Sequence, residues 1–143
     1  MAEKSLPITG GCLCGAIRYE CHEDPIYTYH CHCRDCQRTS GAGFITCIEM
    51  NEPAFSITAG EPASYEVETE AGNRLTRYFC SNCGSQLFST GTGFPTRIIK
   101  AGSLDDPSSI TPIVHIWTAS QQPWIKLCDG VPTREREEDL PNA

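Results

Sequence analysis

The chain has 143 residues, 39% of them hydrophobic and 20% charged, with ten cysteines and a formal net charge of −7. That length suits one domain around one core, and the composition excludes collagen, coiled coil and general disorder. The acidic balance and the scatter of the eleven basic residues argue against a nucleic-acid partner, whose phosphates are held by clustered Lys and Arg.

Residues 1–7 carry no apolar signal region, and no later apolar run approaches the roughly 18 residues of a membrane span, so the expectation is a cytoplasmic protein with no membrane partner. In a reducing compartment, closely spaced cysteines bind metal more often than they form disulfides. A disulfide framework and a redox Cys-x-x-Cys are the alternatives, but the redox motif does not explain a three-cysteine cluster.

Taken in chain order, the first motif is Cys12-Leu13-Cys14-Gly15. On an extended strand residues two apart face the same way, so Cys12 and Cys14 present two sulfurs side by side. Short β-like segments follow at 16–21 and 26–31. The second runs into Cys31-His32-Cys33-Arg34-Asp35-Cys36, where a strand ending near Cys31 projects Cys31 and Cys33 together. A short helix starting near Cys33 returns Cys36 to the same side one turn later. Its N-terminus adds partial positive charge that favours thiolate.

Further strands are expected at 43–48, 55–59, 64–67 and 74–79. The turn Cys80-Ser81-Asn82-Cys83-Gly84 comes next, in which Asn82 and Gly84 tolerate a left-handed backbone. Strands at 86–89, 97–101 and 113–117 complete an all-β domain of short strands. A single helical turn is expected near Asp105 or Asp106, with Pro107 at an early position. Residues 1–133 form one zinc-binding domain, and 134–143, a run of mixed charges, form a loose tail. Cys21, Cys47 and Cys128 stand in apolar or β-like surroundings and are expected in the core.

The clusters divide four and three. Cys12, Cys14, Cys80 and Cys83 supply a closed structural zinc site between two matching knuckles, each ending in Cys-Gly. Cys31, Cys33 and Cys36 supply three ligands of a second, catalytic zinc whose fourth position can take water or a substrate sulfur. His30 or His32 is the other source of a fourth ligand, although on a strand His32 points away from Cys31 and Cys33. A zinc with three thiolates is electron-rich, which suits activating a thiol better than activating water. Arg34 and Arg38 are placed to meet a substrate carboxylate or a developing oxyanion. His115 and Trp117 are further candidates for lining a substrate site. Among His30, His32 and His115 no general base is singled out.

Three stretches carry a family resemblance: Gly10-Gly11-Cys12-Leu13-Cys14-Gly15-Ala16-Ile17-Arg18-Tyr19, then Cys31 to Gly41, then Phe79-Cys80-Ser81-Asn82-Cys83-Gly84-Ser85. Ala101-Gly102-Ser103-Leu104-Asp105-Asp106-Pro107 and His115-Ile116-Trp117-Thr118 extend it. The chain closely resembles the glutathione-dependent formaldehyde-activating enzyme family, which also includes centromere protein V. The resemblance implies a β-tent fold of short antiparallel strands with zinc knuckles, two zincs per chain, and carbon–sulfur lyase chemistry in which glutathione and formaldehyde interconvert with S-hydroxymethylglutathione. The implied partners are a small thiol and an aldehyde, or their adduct. The rival readings are a zinc hydrolase of an imine- or amide-like substrate, a non-catalytic thiol carrier, and an interaction module with purely structural zincs.

Overall fold

A computed structural model describes residues 6–69 and 72–137. Ten strands form two sheets. The smaller sheet has the order β1-β2-β5, with β1 at Ile8–Gly11, β2 at Arg18–Cys21 and β5 at Phe55–Ala59, all antiparallel. The larger has the order β10-β3-β4-β9-β8-β7-β6. Its strands are β3 (Tyr27–Cys31), β4 (Ile45–Asn51), β6 (Ala63–Glu68), β7 (Arg74–Phe79), β8 (Gln86–Gly91), β9 (Thr96–Lys100) and β10 (Pro112–Ile116). One short helix, α1 at Arg34–Ser40, follows β3 directly. No helix among the described residues is long and apolar enough to cross a membrane.

The expected all-β architecture holds, with two differences of detail. β1 was not expected, because its sequence Ile-Thr-Gly-Gly has a single apolar residue and two glycines. β10 pairs with β3 in parallel, whereas every other strand pair is antiparallel. Nothing in either segment signals that direction, since β10 is brought alongside by packing after a long excursion of the chain.

A row of rings joins the sheets: Tyr19 on β2, Phe55 on β5, then Phe88 on β8 and Tyr78 on β7, with centroids 5.3, 4.7 and 4.5 Å apart in turn. Ile48, Met50, Leu87 and Ile99 fill the core around it. A second apolar cluster, between β3, β4, β10 and α1, contains Tyr29, Cys31, Cys36, Cys47, Val114 and Ile116.

The outer edge of β10 is covered by backbone bonds to the chain's last described segment. His115 N–H donates to Pro132 O at 2.8 Å, Arg134 N–H to His115 O at 2.8 Å and Trp117 N–H to Arg136 O at 3.0 Å. The stretch expected as a tail therefore starts with residues hydrogen-bonded along β10, while 138–143 lie outside the described residues.

Candidate metal-thiolate site

Each of the two knuckles folds around its own glycine. In the first, Gly15 N–H donates to Cys12 O at 3.1 Å with Gly15 at φ 82°; in the second, Gly84 N–H donates to Cys80 O at 2.8 Å with Gly84 at φ 79°. These left-handed positions suit glycine, and they turn each chain back so that its two sulfurs point one way. Asn82 has no left-handed backbone; Gly84 alone makes the second turn. Leu13 N–H donates to Ser85 Oγ at 3.0 Å, which docks the knuckles on each other.

The Sγ atoms of Cys12, Cys14, Cys80 and Cys83 all lie within 4.8 Å of one another, with Cys12 to Cys14 at 3.6 Å and Cys14 to Cys80 at 3.7 Å. A tetrahedral shell with metal–sulfur bonds of about 2.3 Å sets its sulfurs about 3.8 Å apart, whereas a disulfide needs about 2.05 Å. The spacing fits a metal site and not a disulfide. Backbone donors aim inward as second partners of the sulfurs, Ile17 N–H reaching Cys12 Sγ at 3.2 Å. The Ser85 hydroxyl, 3.2 Å from Cys83 Sγ, leads the hydrogen bonds that push the Cys83 thiol down to about 5.

Cys31, Cys33 and Cys36 also converge within 4.8 Å. Cys31 ends β3, and Cys33 is the N-cap of α1, its sulfur accepting from Cys36 N–H at 3.2 Å. One residue thus caps the helix and offers a ligand, and the cap fixes Cys36 opposite it. Cys36 is the thiol of the three pushed down, to about 4: hydrogen bonds first from Cys31 and then from Cys33 lower it against the burial that would raise it, and Lys100 adds its charge. Gln37, buried beside it, locks α1 in place. Its amide donates to His32 O at 2.7 Å and Ser120 O at 3.0 Å, and accepts from Arg34 Nη1 at 2.5 Å and Gln122 Nε2 at 2.9 Å.

The alternation of β3 puts His30 on the face opposite the thiols, and His32, the residue after the strand, lies on the same side against Phe44 and His115. His32 Nε2 lies 2.9 Å from His115 Nδ1, and His115 Nε2 lies 2.8 Å from Asp129 Oδ2. The Asp129 carboxylate accepts, so neutral His115 carries its proton on Nε2 and accepts through Nδ1. His32 then donates through Nε2, leaving its Nδ1 a buried bare acceptor with no partner. Burial, followed by the neighbouring His115 and His30, pushes His32 down to about 4.

An open groove of about 630 Å³ runs between the first knuckle and the β4–β9 side of the large sheet. Arg18, Ser40, Ile45, Thr46, Gln86 and Lys100 are among its lining. Ile45 packs against the Cys31 cluster, and Lys100 Nζ lies 3.9 Å from Cys47 Sγ. Arg18 is already engaged in a two-armed pair with Asp105, so Lys100 is the cation with more of its charge to offer.

The residues expected from sequence separate in space. Both sets of cysteines come together as grouped. Arg34 is exposed and bonded to Gln37, Arg38 is exposed, and neither lines the groove. His115 is buried in the imidazole chain. Trp117 takes φ 59°, just beyond β10, with the Arg136 guanidinium 5.2 Å from its ring centroid. Cys21 and Cys47 are buried, but Cys128 is exposed, because residues 124–132 carry no strand or helix that would turn it inward. Lys100, Arg18, Gln37 and Asp129 were not singled out from sequence; Arg18 and Lys100 fall in strands where alternation alone does not mark a groove.

Comparison with known proteins places these features in a family. The family model described as glutathione-dependent formaldehyde-activating enzyme matches residues 7–120. A Halomonas elongata protein carrying the name "Putative glutathione-dependent formaldehyde-activating enzyme" is 26% identical over 130 residues, covering 84% of this chain and 80% of its own length. A crystal structure of a Rhodobacter sphaeroides protein, a structural genomics target, shares the fold with a TM-score of 0.56 at 18% identity, over 73% of this chain and 92% of its own.

Proposed function

The chain belongs to the glutathione-dependent formaldehyde-activating enzyme family, and from that premise we propose that it is a zinc-dependent carbon–sulfur lyase acting on adducts of the S-hydroxymethylglutathione type. The observation that carries this reading is the pairing of a complete four-thiol cluster with a three-thiol cluster, the latter packed against Ile45, which lines an open groove on its other side. In this assignment Cys12, Cys14, Cys80 and Cys83 hold a structural zinc. Cys31, Cys33 and Cys36 hold a second zinc with its fourth position open. The donor chemistry fits, since soft thiolates at tetrahedral spacing select zinc over harder cations.

When bound, a zinc held by Cys31, Cys33 and Cys36 would supply a site where a substrate thiol releases its proton to solvent yet stays nucleophilic. The chain's own residues bind and orient. Lys100 meets a carboxylate of a glutathione-like tripeptide, and a groove of this size suits a ligand of that class. Holding the sulfur beside the aldehyde carbon turns a two-body encounter into a local one. The sulfur lone pair forms the carbon–sulfur bond, the carbonyl π pair moves to oxygen, and the alkoxide takes a proton from solvent. Cleavage of the adduct is the same path reversed.

The test is formaldehyde consumption with glutathione, followed by NMR of the hydroxymethyl carbon. Wild type accelerates adduct exchange, and Cys36→Ala abolishes the acceleration while the four-thiol cluster keeps its metal. Lys100→Met raises KM for glutathione about tenfold, the equivalent of one ~1.4 kcal/mol charge-assisted contact. Saturable glutathione binding with no rate increase would make the protein a carrier, and turnover without added thiol would make it a hydrolase.

A further inference from the structure

The face of β3 turned away from the thiols carries a second set of metal-type ligands. His30, His115 and Asp129 each place one ligand atom within 4.8 Å of the other two. We propose that these three residues form a third metal site, distinct from both cysteine clusters, taking a borderline divalent first-row cation such as zinc through two imidazoles and a carboxylate.

Four observations support it. The ligand set is one that first-row transition ions accept, and it contains no sulfur. Both histidines have their other nitrogen held, as ligating histidines usually do: His30 Nδ1 lies 2.9 Å from Thr46 Oγ1, and His115 Nδ1 lies 2.9 Å from His32 Nε2. The rings of His30 and His115 lie side by side, 4.5 Å between centroids and 30° between planes, while Phe44 closes over His32 at 4.7 Å and meets His30 edge-on at 5.1 Å. His115 is 1% exposed whereas the Asp129 side chain is 44% exposed, so one wall of the site is rigid and the other opens to solvent for entry.

Ligation has a consequence inside the protein. Once His115 Nε2 binds a cation it carries no proton, so neutral His115 must bear its proton on Nδ1 and donate to His32 Nε2. His32 in turn moves its own proton to Nδ1. The proton count of the pair is unchanged: the His32 Nε2 proton passes to His115 Nδ1, and the one displaced from His115 Nε2 is replaced by one gained at His32 Nδ1. Because His32 Nδ1 lacks a partner in either tautomer, the switch adds no unsatisfied group. Loose binding at the surface would leave a fully buried ring untouched.

The experiment is a zinc titration of protein whose cysteine clusters are already loaded, followed by long-range proton–nitrogen NMR of the histidines. The expected result is one further equivalent bound, perturbation of His30 and His115, and exchange of His32 from an Nε2–H to an Nδ1–H tautomer. Asp129→Asn and His30→Gln, both at positions with solvent access, should weaken that equivalent about tenfold or more while the thiolate-bound zinc count stays at the wild-type value. Equal binding by both variants, or no imidazole response to a large excess of zinc, would overturn the proposal. The thiolate count is read separately, so either result leaves the lyase reading to its own test.

Discussion

Glu49 on β4 is half-buried, its Oε2 unpartnered, with Thr96 Oγ1 donating to Oε1 at 3.4 Å. Burial raises it from an ordinary 4.5 to about 7; Thr96 and Lys100 pull it down, and Glu137 pushes it up. Between those two values the folded state holds a proton that the unfolded chain has released, so stability falls as pH rises through that window. Glu49→Gln removes the effect. Its melting temperature relative to wild type should be higher above pH 7 than at pH 4.5, and a pH-independent difference would contradict the assignment. Two glycines separate crowding from backbone strain. A Cβ on Gly10 would sit 2.4 Å from Tyr19 Oη and 2.5 Å from Ser103 O, forcing apart the Tyr19–Ser103 hydrogen bond, while one on Gly15 meets nothing within 4 Å. Urea unfolding should show Gly10→Ala losing about 2–3 kcal/mol from overpacking and Gly15→Ala about 1 kcal/mol from its positive φ. At this scale the cysteine clusters were legible because spacing dictates direction along a strand or turn. Lys100 and Asp129 were not, since each is brought to its place by residues far away in sequence.

At the scale of elements, β3 and α1 together decide what the protein can do. Period-two alternation on β3 sends Cys31 to one face and His30 to the other, and His32, just past the strand, turns to His115 on His30's side. The helix then returns Cys36. Because Cys33 caps the helix and is also a proposed ligand, Cys33→Ser should keep the cap hydrogen bond and helix while sharply weakening metal at that cluster alone. Metal analysis with circular dichroism checks this, and loss of helix and fold together would contradict it. The bounds of β5 and β7 could be read from sequence, since each holds three β-branched or aromatic residues (Phe55, Ile57 and Thr58; Thr76, Tyr78 and Phe79) and is bracketed by turn formers. The helix after Cys33 was equally legible. β1, with two glycines, and the parallel register of β10 on β3 were not, because tertiary pairing fixes both.

Across the whole molecule, the two knuckles join the sheets. Cys12 and Cys14 follow β1 in the small sheet, and Cys80 and Cys83 lie between β7 and β8 in the large one. A metal held by all four would tie the sheets at one end, while the aromatic row from Tyr19 to Tyr78 joins them through the core. Cys83→Ser should therefore lower global stability more than Cys36→Ser, whose cluster belongs to β3 and α1 and leaves the larger core intact. Equal losses in urea would mean the first cluster is no staple. The central claim, a three-thiolate zinc that accepts a substrate sulfur, is tested most directly by X-ray absorption at the zinc edge with and without glutathione, on wild type and Cys36→Ala. The account predicts two zincs in wild type, one in the variant, and added sulfur coordination only in wild type when glutathione is present. A single zinc, or two whose shells ignore glutathione, would contradict it.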